Sequence, residues 1–141
     1  QTEARENNYG AVCAEMAFCR IFGLYPWSIL TRPGPGKAPL KDHDTLWRGW
    51  RVDVKQTTKR NGLNLRASLK AQQDCDLFVL MYWGPEMVWQ YLGWISYHNA
   101  FLEAEHRGRP TPHYRVAESQ LTLHQPTHLG PHFRGTYEGA R

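Results

Sequence analysis

The chain has 141 residues, of which 41% are apolar and 13% aromatic, a composition that excludes a disordered polymer and suits one domain with a single sheet and a few helices. Seventeen Lys and Arg against thirteen Asp and Glu leave a formal charge of +4 and a pI near 9.1, compatible with a phosphate-backbone partner but too mild to identify one. Cys13, Cys19 and Cys75 form no CxxC pair, which argues against a disulfide framework or a familiar zinc motif, and no run reaches the roughly eighteen apolar residues of a membrane span.

From about residue 6 to residue 22, Ala11, Val12, Ala14, Ala17, Phe18, Ile21 and Phe22 recur at three-and-four spacing, which predicts an amphipathic helix ended by Gly23. Glu15 lies in its middle, and its i+4 neighbour Cys19 offers no salt bridge. On residue type alone, Glu15 is a solvated helix glutamate. Residues 25–41 carry Pro26, Pro33, Pro35 and Pro39 with Gly34 and Gly36, and predict a loop. Its Arg32, Lys37 and Lys41 are placed to meet phosphates, although a basic loop is more often simply solvated.

Residues 45–50 and 51–58 predict a hairpin turning near Gly49, and Asn61-Gly62 predicts a second turn leading to a strand near 63–68. The expectation is three antiparallel strands in sequence. Residues 76–83 form a near-continuous apolar run, a central buried strand, and 88–96 form another strand. Residues 97–107 read as a helix stopped by Gly108-Arg109-Pro110, residues 114–116 as a short edge strand and residues 118–121 as a turn. The domain is expected to span residues 1–121, with 122–141 a His-, Pro- and Gly-rich tail. There His124, His128 and His132 have helical spacing, but Pro126, Gly130 and Pro131 interrupt any helix. A flexible or wrapping tail follows more readily than a metal site.

The chemistry concentrates in residues 44–55. Asp53, Lys55 and Thr57 alternate, so in a strand they share a face, while Val52 and Val54 turn into a core. A surface ion pair is the ordinary meaning of such an Asp and Lys. Two acids and an amine also suit a divalent-metal site at which phosphodiesters are cut.

Glu15 on a helix, Asp44 at the start of a hairpin and Asp53-Val54-Lys55 on its second strand stand in the order of the PD-(D/E)XK nuclease superfamily, which the chain resembles over about residues 8–121. Gly10, Gly49, Gly93-Trp94-Ile95 and the segment from Tyr114 to Leu121 extend the likeness to its small phage and bacterial members. His43 stands where the superfamily often has proline, which makes Asp42 a rival to Asp44; Asp44 is preferred because it adjoins the strand of Leu46 and Trp47.

The resemblance implies an α/β (α+β) restriction-endonuclease-like core, a central mixed sheet flanked by helices. It implies Mg²⁺ or Mn²⁺ held by Asp44, Asp53, the Val54 carbonyl and Glu15, with Lys55 positioning the attacking water or stabilising the transition state. His43 is a further possible ligand, Thr57 supports Lys55, and Gln56 points to the opposite face without a catalytic role. The implied activity is metal-dependent hydrolysis of phosphodiester bonds, most readily in DNA, in the cytoplasm of a bacterium or of a phage's host. A homodimer would suit double-strand cutting. Two other readings compete: a non-catalytic nucleic-acid-binding or assembly subunit retaining the fold, and an interaction domain using Trp47, Trp50, Trp83, Trp89 and Trp94. Strand aromatics, however, usually pack a core.

Overall fold

The computed structural model describes residues 2–26, 44–66, 75–103, 105–107 and 113–129. Helix α1 (Thr2–Phe22) starts earlier than its apolar pattern and stops where expected. Gly23 adopts φ +66° and the Leu24 N–H donates to the Cys19 carbonyl at 2.8 Å, closing the last turn in the manner of a Schellman cap. Strands β1 (Thr45–Trp47) and β2 (Trp50–Thr57) form the expected hairpin. Its two-residue turn puts both Arg48 (φ 52°) and Gly49 (φ 89°) in left-handed conformation, as a turn matched to strand twist requires.

The meander does not continue. Strand β3 (Leu63–Arg66) leaves the first sheet, and β2 pairs instead, in parallel, with β4 (Leu77–Trp83), from Val52 opposite Leu77 to Thr57 opposite Tyr82. Strand β5 (Trp89–Ser96) returns antiparallel to β4, giving the mixed order β1-β2-β4-β5. Burial explains the change: β4 is apolar on both faces and is sheltered best between two neighbours. The bidentate pair from Arg51 to Asp76, 2.8 and 3.1 Å, clamps the start of β4 to β2.

Helix α2 (Tyr97–Glu103) begins with the Ser96 hydroxyl accepting the Asn99 N–H at 3.1 Å. It is shorter than the predicted helix because Glu105-His106-Arg107 supplies no apolar face; those residues form β6 (Glu105–Arg107). Strand β7 (His113–Val116) lies between β3 and β6 in a second, three-stranded sheet and is its centre instead of an edge. Gly62, at φ +98°, lies flush against the Val116 carbonyl, so the Asn61-Gly62 turn seats the second sheet and does not fold back on β2.

Alternation along β4 divides the core in two. Leu77, Val79 and Met81 face α1 and pack with Ala14, Phe18, Trp47, Val52 and Val54. Phe78 and Leu80 face the other way, against Leu63, Leu65, Ala100 and Val116 of the second layer. Residues 122–129 wrap over the hairpin end: Thr122 bridges Trp94, the Trp50 indole donates to the Thr127 carbonyl at 2.8 Å, and Leu129 is buried. His124 and His128 are exposed, and His132 lies outside the described residues. Among the described residues no helix is long and apolar enough to cross a membrane.

Candidate active site

Strand β1 is three residues long, so β2 outruns it and its outer edge is uncovered by β1 beyond Val52. Asp44 occupies that edge. Its N–H donates to the Val52 carbonyl at 2.7 Å, and its carboxylate Oδ2 accepts the Val54 N–H at 2.7 Å, taking the place of a strand carbonyl. Because the N–H and C=O of one strand residue point to the same side, the Val54 carbonyl faces this edge too.

Three elements bring carboxylates here. Glu15 is buried on the α1 side, where the helix runs antiparallel to β2, with Gly10 against Gln56. Asp53 is buried on the opposite face, opposite Phe78. Asp44 bridges them, hydrogen-bonded through its side chain to Glu15 and to Asp53. Lys55 follows on the Asp53 face, its Nζ 3.2 Å from Asp53 Oδ2. This pair differs from an ordinary surface ion pair because the Asp53 side chain is only 10% exposed.

Carboxyl groups hydrogen-bond one another only through a proton. Burial pushes Asp53 up to about 7, with the Lys55 cation opposing and the Asp44 charge adding to the rise. Burial also pushes Asp44 up to about 7, reinforced by the hydrogen bond and charge of Glu15 and opposed by the Val54 N–H. Both aspartates therefore hold protons near neutrality. Its donors, carboxylate oxygens with the Val54 carbonyl nearby, fit a hard divalent cation, which can replace those protons. Among the described residues, no three His, Cys, Asp or Glu side chains already surround one ion position.

The neighbouring thiols serve packing. Cys19 touches the Thr45 hydroxyl, and burial pushes its thiol up to about 11; burial raises Cys75 as well, and its Sγ lies 3.0 Å from the Leu77 carbonyl. Such thiols are poor nucleophiles. The Thr57 hydroxyl donates to the Lys59 carbonyl at 2.6 Å and accepts the Lys59 N–H, so it shapes a turn and does not support Lys55. Asp42, His43, Arg32, Lys37 and Lys41 lie outside the described residues.

Sequence reasoning passed over Gln56. It does point away from Lys55, and there it lines a cleft with Tyr9, Gly10, Cys13, Trp83 and Trp89. The signal lay in two places, the glycine in α1 and the Trp pair flanking the β4–β5 turn. Comparison with family models, curated proteins and solved structures finds no match in any of the three.

Proposed function

We propose that the chain is a divalent-metal-dependent nuclease with a restriction-endonuclease-like core of the PD-(D/E)XK type, hydrolysing phosphodiester bonds in DNA. The observation that carries this is the meeting of Glu15, Asp44 and Asp53, from a helix, a loop and a strand, at the edge of β2 that β1 leaves unpaired, beside Lys55. Asp44, Asp53 and the Val54 carbonyl would hold Mg²⁺ or Mn²⁺, with Glu15 at its border. A bound ion supplies Lewis-acid polarisation of the phosphate and a more acidic water. The Val54 N–H holds the Asp44 carboxylate at the edge of β2 through Oδ2. Glu15 orients Asp44. The ammonium of Lys55 stabilises charge developing on the phosphate oxygens or positions the water.

A purely structural core has no use for this arrangement, since buried carboxyls cost stability that apolar groups of the same volume would not. The same cost weighs against a subunit that only binds. The test is cleavage of labelled single-stranded, double-stranded and branched DNA, with RNA alongside, in Mg²⁺, Mn²⁺ or EDTA. Wild type should cut one class with metal, and folded Asp53→Ala should not. Cutting of equal strength by the variant overturns the proposal.

A further inference from the structure

On the α1 face of the sheet, beyond the carboxylates, a cleft of about 680 Å³ opens between the first half of α1 and the ends of β2, β4 and β5. Its size falls within the ~300–1,000 Å³ typical of sites that enclose small organic groups. Trp83 and Trp89, cross-strand partners at the β4–β5 turn, form one wall with ring centroids 5.1 Å apart and planes at 49°. Tyr9, 74% exposed, stands at the cleft, and the Gln56 amide lies against Gly10. A side chain at position 10 would displace that amide, so the glycine keeps this floor in place.

The cleft lies farther along the same helix and strand that carry Glu15 and Asp53. From Glu15 to Tyr9 is six helix residues, about 9 Å of rise, and from Asp53 to Gln56 is three strand residues, about 10 Å. A stacked nucleic-acid strand advances ~3.4 Å per nucleotide, so this offset is about three nucleotides. A strand lying along the edge of β2 that β1 leaves unpaired would keep its phosphates at the carboxylates and turn a base under the helix.

We infer that this cleft receives an unpaired nucleobase of the substrate strand, stacked against Trp83 and Trp89 with the Gln56 amide at its edge. The inference deepens the nuclease reading and rests on it for the polarity and register of the strand. A base has the flat π face that tryptophan walls accommodate and an edge of donors and acceptors that a primary amide, which is both, can meet. A base already paired and stacked in a duplex offers no free face. The substrate class is therefore DNA with a single-stranded region, such as a free strand, a frayed end or a branch.

The test is binding in EDTA, where no cutting interferes, of oligothymidylate, of an all-abasic strand of equal length and charge, and of a blunt duplex. Wild type should bind oligothymidylate roughly 5- to 100-fold more tightly than the abasic strand, with quenching of tryptophan fluorescence by the first alone. Trp89→Phe should keep the preference and Trp89→Ala should lose it. Equal wild-type binding of the two strands, or a preference retained in folded Trp89→Ala, overturns the inference. If Trp89→Ala does not fold, the wild-type comparison and its quenching decide. A protein that prefers bases but never cuts would sink the nuclease reading and leave the cleft assignment standing; one that cuts but ignores bases would do the reverse.

Discussion

Replacing Asp53 by Asn should stabilise the protein at pH 8 and leave it no more stable at pH 4. Asp53 and Asp44 have folded-state pKa values near 7, raised from 3.8 chiefly by burial. Between about pH 4 and 7 the folded state thus binds more protons than the unfolded state, and stability falls as pH rises through that window, levelling above 7. A carboxyl raised from 3.8 to about 7 on folding forfeits ~4 kcal/mol above pH 7. Because Asp44 and Asp53 share protons, that figure is the scale for removing one acid and is not doubled for two. At about 3 °C per kcal/mol for a domain of this size, Asp53→Asn should melt on the order of 10 °C above wild type at pH 8. Lys55, whose side chain is 29% exposed, is left to water and subtracts little. The assay is thermal unfolding of both proteins from pH 4 to 8, read as the difference between them so that other titrating groups cancel. Parallel melting curves across the range would refute the burial argument. Mn²⁺ should raise the wild-type melting temperature most at pH 8, where protons no longer compete, and should leave Asp53→Asn unmoved.

Lys55→Ala should lower the cleavage rate by about 10²–10³-fold with metal affinity retained, as loss of a transition-state donor does; steady-state kinetics beside Mn²⁺ titration would check both. Asp76→Ala, which strips the buried partner from Arg51, should cost ~3 kcal/mol in denaturant unfolding. Gly62→Ala should be worse tolerated than Gly23→Ala: both glycines have positive φ, but a Cβ at Gly62 meets the Val116 carbonyl while one at Gly23 meets nothing within 4 Å, and parallel urea melts would rank them.

The elements readable from sequence were those with local causes. The period of α1, the capping Gly23, the tight turn at Gly49 and the apolar run of β4 each follow from adjacent residues. Strand partners do not. Nothing near Gly62 announces that β3 pairs with β7 some fifty residues later, nor that β2 accepts β4 in parallel; those choices are set by which apolar faces can be covered together. The site divides the same way. Alternation put Asp53 and Lys55 on one face and the valines on the other, and the structure agrees. That Asp44 caps an edge β1 leaves unpaired, and that Glu15 lies near it on the helix side, depends on β1 ending after three residues and on the helix packing antiparallel to β2. Gln56 looked idle because the cleft it lines needs Gly10 from α1 and two tryptophans from other strands.

The most direct test of the carboxylate cluster as a metal site is calorimetric titration of Mn²⁺ into the protein at pH 6.5 and 8, in buffers of differing ionisation heat that report released protons. The account predicts binding by wild type, proton release at pH 6.5 that diminishes at pH 8, and loss of binding in Asp44→Asn and Asp53→Asn. A folded wild-type protein that takes up no Mn²⁺ at either pH, or variants that bind as well as wild type, would contradict it.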